Sequence, residues 1–183
     1  MKKLSLLFIL IISSTINLFA ENSAKVKRIF EGKEDAKITI ITYESLTCGH
    51  CADFHKNVYP ELKKEFIDKG LVKIEFRHFP LDIAAFNASK IGQCNNDGNS
   101  NLMHVLFSGQ KKWAKGKTPE EATKHLKKFL QDENIKIDFE KCLNNKSIED
   151  YVLNDRIEGV KKFEVNATPT IIINDKKFEK TLN

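Results

Sequence analysis

The feature that most constrains this chain is a pair of cysteines, Cys48 and Cys51, placed where a strand pattern gives way to a helix pattern. Upstream, residues 38–43 form a short, β-branched and mostly apolar run, which is typical of a strand covered on both faces. Downstream, apolar and aromatic residues recur at helical spacing over residues 52–66. Unpaired backbone N–H groups and the helix dipole stabilise a thiolate at a helix start, so Cys48 is predicted to be the reactive cysteine. Cys51, one turn further on, is predicted to be shielded.

Residues 1–20 have the organisation of a secretory signal peptide. Lys2 and Lys3 precede an apolar stretch over residues 4–12 that is too short to span a bilayer, and the segment ends in the small residue Ala20. We expect cleavage after Ala20 and export to the periplasm, with an uncleaved membrane anchor as the alternative. The rest of the 183-residue chain is long enough for one domain with a substantial core.

The charged residues argue against nucleic acid as a partner. The formal net charge is only +5, and the lysines are dispersed along the chain instead of forming a basic patch. A solvated surface of mixed charge is the simpler interpretation. No repeat, low-complexity segment or Pro/Gly-rich linker divides the sequence.

Four cysteines in an exported protein favour two disulfides. Cys48 and Cys51 are close enough in sequence to bridge only each other or a metal, which leaves Cys94 and Cys142 to form a structural disulfide. A staple across the short Cys48–Cys51 loop would stabilise the fold very little, so a reversible, redox-active disulfide is favoured there. His50 lies between these two cysteines, and a protonated imidazole at that position lowers the pKa of a neighbouring thiol.

Hydrophobic periodicity predicts a strand–helix–strand unit at the start of the domain. Apolar and charged residues alternate over 71–79, which predicts a strand that runs parallel to the strand over 38–43 through a right-handed crossover. The helix between them should end near Lys69, before Gly70, and be kinked by Pro60 near Asn57 or Val58.

Helical spacing then continues to about residue 162, and a β-hairpin follows. Thr118 and Pro119 give a clear helix start, because threonine caps a helix and proline suits its first position. The other predicted elements are a short strand over 26–30, helices over 83–95 and 101–113, a short helix with Phe139, Cys142 and Leu143 on one face, and hairpin strands over 170–173 and 176–178.

The last helix of this segment is predicted to begin at Ser147 with Asp150. Its apolar residues Leu153, Ile157 and Val160 recur at helical spacing. We therefore predict that these three side chains face the core.

Four stretches of the sequence resemble the DsbA-like thiol:disulfide oxidoreductases of the bacterial envelope. They are YESLTCGHCADFH at 43–55, FRHFPLD at 76–82, LFSGQKKWA at 106–114 and VNATPT at 165–170. The resemblance implies an α/β fold in which a thioredoxin-like sheet is interrupted by an all-helical insertion. The first thioredoxin-like half would be residues 21–82, the insertion 83–162 and the second half 163–183.

The resemblance also implies how substrate is held. In the family, the proline that matches Pro169 is cis and faces the cysteine pair, and the residue that matches Thr168 pairs its backbone with the substrate peptide. A final amphipathic helix follows the hairpin in the family, whereas this sequence stops at Asn183. The second half is therefore expected to lack that helix and to leave one face of residues 171–173 bare.

Two positions depart from the family pattern. The glutamate that family members commonly carry six residues before the first cysteine is Thr42 here, and Glu44 lies two residues further on, on the same face of an ideal strand. The residues between the cysteines are Gly49 and His50, whereas many relatives have Pro-His. Both departures affect the expected redox potential and leave the expected chemistry unchanged.

We interpret the chain as an envelope thiol:disulfide oxidoreductase in which Cys48 is the nucleophile and Cys51 resolves the mixed disulfide. The favoured direction is donation of disulfides to unfolded or newly exported proteins with cysteines. The resemblance implies reoxidation by a DsbB-like membrane quinone reductase. A monomer that needs no cofactor and no metal is expected.

Three alternatives remain open from the sequence. The same fold and chemistry can serve a disulfide reductase or isomerase, because thiol–disulfide exchange is reversible. The spacing of Cys48, Cys51 and His55 also fits a metal-binding chaperone. A peptide-binding module without catalysis is the third alternative.

Overall fold

The computed structural model describes residues 25–179. The predicted signal peptide over residues 1–20 lies outside this range. None of the helices within the described range is both long enough and apolar enough to cross a bilayer.

A five-stranded sheet forms the centre of the structure, with the strand order β1-β3-β2-β4-β5. The strands are β1 (Ile29–Glu31), β2 (Ile38–Glu44), β3 (Val72–His78), β4 (Thr170–Ile173) and β5 (Lys176–Lys177). β2 and β3 are parallel, as the crossover predicted, and the other neighbouring pairs are antiparallel. β1 begins later than the predicted strand over 26–30, because only Ile29 and the next two residues pair with β3.

Helices cover both faces of this sheet. They are α1 (Gly49–Asp53), α2 (Tyr59–Leu62), α3 (Ile83–Gly92), α4 (Asn101–Ser108), α5 (Gln110–Trp113), α6 (Pro119–Asp132), α7 (Phe139–Leu143) and α8 (Lys146–Phe163). The predicted helix over 101–113 is divided at Gly109, where a Cβ atom would lie only 2.0 Å from the ring of Phe129. The α/β fold with a helical segment between two parts of one sheet is therefore confirmed.

The helix after the cysteine pair is irregular at the place that Pro60 predicts. A π-helical turn, Phe54–Val58, separates α1 from α2, and a second one, Lys63–Ile67, follows α2. Proline has no N–H to donate to the preceding turn, so the regular hydrogen-bond ladder cannot run through it. Gly70, which has a positive φ of +73°, lies just beyond the helix, as predicted.

Residues that alternate along β2 pack into two separate buried clusters. Ile40 belongs to the larger cluster, which includes Cys51 and residues of the helical segment. Ile41 and Tyr43 belong to a smaller cluster on the other face, together with Phe163 of α8. This alternation places the cysteine helix and α8 on opposite faces of the sheet.

The prediction that Leu153, Ile157 and Val160 face the core is wrong. Their exposed fractions are 39%, 47% and 46%, and the buried side of α8 carries a different set of residues: Ile148, Val152, Asp155, Gly159 and Phe163. A Cβ atom at position 159 would lie 2.7 Å from the ring of Tyr43, so glycine allows the close approach.

The start of α8 also differs from the prediction. Asn145, and not Ser147, is the N-cap residue, because its side chain accepts a hydrogen bond from the backbone N–H of Ile148. Asn, Ser and Asp are all good capping residues, so composition alone did not select the correct position.

The prediction of a bare face on the strand over 171–173 is also wrong. Ile171 and Ile172 are buried, with exposed fractions of 6% and 0%, and Ile173 is half-buried. Phe178 packs against the larger buried cluster. Both faces of β4 are therefore largely covered within the described residues.

Cys94 and Cys142 form a disulfide in this structure, with Cα atoms 5.4 Å apart. Cys94 follows α3, which ends at Gly92 and is thus shorter than the predicted helix over 83–95, and Cys142 lies within α7. The bridge closes a loop of 48 residues and joins the turn after α3 to α7.

Replacing both Cys94 and Cys142 by alanine should lower the free energy of unfolding by about 4 kcal/mol, because an unbridged unfolded chain gains the entropy of the open loop. Urea denaturation of the oxidised wild type and of the double variant measures the difference. A loss below about 1 kcal/mol would contradict a stabilising role for this disulfide.

Candidate active site

The site forms where β2 ends and the cysteine helix begins. Cys48 is the residue immediately before α1 and has extended backbone angles, so its side chain lies at the start of the helix. Cys51 lies one turn inside α1 and is fully buried. Both cysteines are free thiols in this structure, and their unequal exposure agrees with the prediction.

Cys48 lies against the loop that precedes β4. Its sulfur is 3.2 Å from the backbone carbonyl of Thr168, to which the neutral thiol donates a hydrogen bond. The peptide bond between Thr168 and Pro169 is cis, as the family resemblance predicted. The sheet brings these residues together although about 120 positions separate them in sequence, since β4 pairs with β2 directly.

The pKa of Cys48 is lowered from 9.0 to about 5. The largest cause is a hydrogen bond with the Cys51 thiol, and the backbone N–H groups of Cys51 and His50 add to it. Burial alone would raise this pKa, so the hydrogen bonds outweigh it. Cys48 is therefore a thiolate at neutral pH.

The pKa of Cys51 is raised far above its ordinary value. Burial is the largest cause, and the contact with Cys48 and the negative charge of Glu44 add to it. Cys51 is therefore a neutral thiol at physiological pH. The two sulfurs have opposite protonation states although only two residues lie between them.

His50 is exposed, and the contact through which it lowers the pKa of Cys48 is a hydrogen bond from its backbone N–H. Sequence reasoning had assigned the effect to its imidazole. A backbone N–H is present whatever the side chain, so the helix start itself supplies this part of the stabilisation.

His55 is buried and does not join the cysteines in a metal site. Its two ring nitrogens contact Glu44 Oε2 at 2.8 Å and His104 Nδ1 at 3.0 Å. Across residues 25–179, no group of three or more histidine, cysteine, aspartate or glutamate side chains could hold a metal ion. The described residues therefore give no support to the metal-binding alternative.

Thr42 occupies the position of the family's glutamate but supplies no carboxylate. It is buried in β2, and its hydroxyl donates a long hydrogen bond of 3.4 Å to the Glu75 carbonyl. The carboxylate near Cys51 comes from Glu44, which is 1% exposed. The buried acid is thus present, two residues further along the strand.

Gln110 is a site residue that sequence reasoning did not single out. It is buried at the start of α5, and its side-chain amide donates hydrogen bonds of 2.9 Å to the backbone carbonyls of both Leu46 and Cys48. One side chain of the helical segment thus fixes the loop that presents Cys48. A glutamine inside the family-like stretch at 106–114 was the available signal.

Gln110→Met should lower the free energy of unfolding by about 1 to 3 kcal/mol, because methionine has a similar size but cannot donate. The Leu46 carbonyl then loses its Gln110 donor, and the Cys48 carbonyl keeps only the bond from the Ala52 N–H. The matched control is Gln131→Met on the exposed side of α6, which should change stability by less than about 0.5 kcal/mol. Urea denaturation compares the two. Equal effects would show that the Gln110 hydrogen bonds do not hold the loop.

The sheet order, the cysteine pair at a helix start and the facing cis-proline define a thioredoxin-like redox domain. Comparison with known proteins agrees: residues 24–183 match the thioredoxin family model. The crystal structure of alpha-DsbA1 from Wolbachia pipientis is 33% identical and superposes with a TM-score of 0.72, covering 84% of this chain and 79% of that one. The chain therefore belongs to the thioredoxin family and, within it, to the DsbA-like proteins.

Curated relatives extend the comparison. Disulfide bond formation protein D of Bacillus subtilis is 28% identical over 155 residues, which covers 79% of this chain and 67% of that protein. The matches in Rickettsia bellii and Rickettsia conorii, named as protein-disulfide oxidoreductases, are 32% and 27% identical. This chain spans about half of their length, 45% and 52% respectively.

Proposed function

We propose that this protein is a thiol:disulfide oxidoreductase that uses Cys48 and Cys51. The observation that carries the proposal is the placement of the two sulfurs: Cys48 lies at the helix start, and Cys51 is fully buried one turn further on. This placement favours a thiolate at Cys48, which is the attacking species, and a neutral thiol at Cys51, which resolves the mixed disulfide. The names of the relatives are consistent with this chemistry.

The reaction proceeds through a mixed disulfide. In the donating direction, a substrate thiolate attacks Cys48 of the oxidised enzyme, a new sulfur–sulfur bond forms, and Cys51 leaves with the electron pair of the broken bond. A second substrate thiolate then attacks the substrate sulfur of the mixed disulfide, and Cys48 leaves as a thiolate. We propose that the backbone of Thr168, next to Pro169, pairs with the substrate peptide.

The donating direction is the one that the ionised Cys48 favours. A thiolate that is stable in the reduced enzyme makes the oxidised enzyme a stronger oxidant, because reduction then yields a stabilised product. We further propose that the clients are newly exported proteins with cysteines, that the protein works in the periplasm, and that a DsbB-like membrane quinone reductase reoxidises it. A midpoint potential near −120 mV would support donation, and one near −270 mV would favour a reductase.

The midpoint potential should change by about 30 mV per pH unit above pH 5 and by about 60 mV per unit below it. Above pH 5, Cys48 stays ionised on reduction, so two electrons are taken up with one proton, on Cys51. Below pH 5 both sulfurs take up a proton. Redox titration against glutathione between pH 4 and 8 measures the slope, and about 60 mV per unit near pH 7 would contradict an ionised Cys48.

The sequence predicts that His50→Ala raises the pKa of Cys48 and makes the enzyme more reducing, because an imidazole N–H directed at the sulfur would favour the thiolate. The alanine variant keeps the backbone N–H, so this change isolates the contribution of the side chain. Alkylation rate against pH, in a Cys51→Ala background, gives the pKa. If the pKa of Cys48 and the midpoint potential do not change, His50 acts on Cys48 only through its backbone N–H.

A further inference from the structure

A side-chain hydrogen bond ties the loop in front of Cys48 to the segment that follows β3. Thr47 is the residue immediately before Cys48, and its hydroxyl donates to Asp82 Oδ2 at 2.8 Å. Asp82 lies 35 positions further along the chain, directly before α3 and outside the cysteine helix. The redox chemistry proposed above uses neither of these two side chains.

This bond is the last of three that follow one another. The N–H of Leu81 donates to Ser45 Oγ at 3.3 Å, and Ser45 Oγ lies 3.3 Å from Thr47 Oγ1. The single hydroxyl proton of Thr47 goes to the Asp82 carboxylate, so Ser45 is the donor in the bond between the two hydroxyls. All three bonds then run in one direction, and bonds aligned in this way polarise one another. We call Ser45, Thr47, Leu81 and Asp82 the polar clamp.

The Asp82 carboxylate serves two elements at once. Its Oδ1 atom accepts from the backbone N–H of Ala85 at 2.7 Å and so caps α3, while Oδ2 accepts from Thr47. The helix that it caps is held in the domain, because Asn87 of α3 donates to Thr123 of α6 at 3.1 Å. Asp82 therefore fixes the loop before Cys48 to a helix that has its own support.

The polar clamp holds the part of this loop that Gln110 does not reach. Gln110 donates to the backbone carbonyls of Leu46 and Cys48, and the Cys48 N–H donates to the Ser45 carbonyl at 3.0 Å. The side chain of Thr47, between Leu46 and Cys48, takes its partner from the start of α3 instead. The loop is thus held by side chains from two different helices.

The direction in which the Cys48 sulfur points depends on the backbone just before it. Cys48 is the last residue before α1, and the donors that face its sulfur, which are the Cys51 thiol and the backbone N–H groups of His50 and Cys51, belong to that helix. A change in the backbone at Thr47 would turn the sulfur relative to these donors. Hydrogen bonds weaken steeply when donor and acceptor are misaligned, so the position of Thr47 affects how well the sulfur is stabilised.

We propose that Asp82 is a positioning residue for thiol–disulfide exchange: by accepting from Thr47, it keeps the Cys48 sulfur directed at the donors of the helix start. The proposal rests on the proposed function, in which Cys48 is the sulfur that substrate attacks. Asp82 acts through Thr47 and not by contact with the sulfur. Its negative charge has the opposite effect, because a nearby anion disfavours a thiolate. The sign of a change in the pKa of Cys48 therefore separates positioning from charge.

The main test is Thr47→Val in the full-length protein, since valine keeps the branched shape and the Asp82 charge but loses the hydroxyl. The pKa of Cys48 should rise by at least about half a unit, because the donors of the helix start are then less well aligned with the sulfur. Ultraviolet absorbance of the thiolate against pH, in reduced protein, measures it. The equilibrium constant for oxidation of glutathione by the protein should fall about threefold, since one pKa unit corresponds to a factor of about ten.

Two further variants exclude a general effect of the substitution. Thr47→Ser keeps the hydroxyl and should retain the wild-type pKa and equilibrium constant. Thr123→Val removes another half-buried threonine hydroxyl, which accepts from Asn87 and donates to the Pro119 carbonyl, and should change neither quantity. A pKa of Cys48 that stays the same in Thr47→Val, even with lower stability, would overturn the proposal. An equal rise in Thr123→Val or in Thr47→Ser would also overturn it.

A double-variant comparison assigns the effect to Asp82. Asp82→Ser keeps a capping oxygen for α3 but has no second oxygen for Thr47. In this background Thr47→Val should change the pKa of Cys48 by less than about 0.2 units, because the acceptor is already gone. Asp138→Ser makes the same change at the N-cap of α7 and should leave the full effect of Thr47→Val. An undiminished effect in Asp82→Ser would overturn the proposal. If Thr47→Val does not fold, Asp82→Ser alone decides, and a lower pKa of Cys48 would show that only its charge acts.

The same measurements test the proposed function separately. If the oxidised wild-type protein does not exchange with glutathione, the redox assignment of Cys48 fails. If the wild type exchanges and Thr47→Val has the same pKa and equilibrium constant, only the positioning role of Asp82 fails.

Discussion

The ionised sulfur of Cys48 is stabilised by hydrogen bonds at the start of a helix, and those donors must stay aimed at one atom. The Cys51 thiol and the backbone N–H groups of His50 and Cys51 belong to the helix itself. The rest of the molecule holds that helix start in position. Gln110 holds the loop that precedes this helix start, and the backbone carbonyl of Thr168 lies against the Cys48 sulfur.

The same region shows how the fold manages buried charge. A buried carboxylate is costly without partners, and Glu44 has His55 as its partner at 2.8 Å. On the other face, Asp155 of α8 pairs with Arg28 and accepts from the backbone N–H of His78. Both acids lie beside the central strands, where an unpaired charge would oppose folding.

Sequence periodicity predicted the elements and their inward-facing residues best where one face of an element is buried and the other is exposed to solvent. The alternation over β3 predicted both the strand and its inward residues, and Thr118 with Pro119 predicted the start of α6. The same reasoning chose the wrong face of α8, because two sets of apolar residues on this helix both recur at helical spacing. The close approach of Gly159 to Tyr43 and the ion pair of Asp155 with Arg28 go with burial of the stripe that carries Val152 and Phe163. Neither contact is visible without the tertiary structure.

The sequence by itself determined the chemistry: two cysteines two residues apart at a strand-to-helix junction become unequal, because local backbone geometry exposes one and buries the other. The cis-proline and its place opposite the cysteines followed from family resemblance. Only the tertiary structure decided which distant groups act on them. Gln110 reaches the loop before Cys48, and the Thr168 carbonyl reaches the Cys48 sulfur, through the packing of elements far apart in sequence. Such contacts depend on relative orientation, which no local pattern encodes.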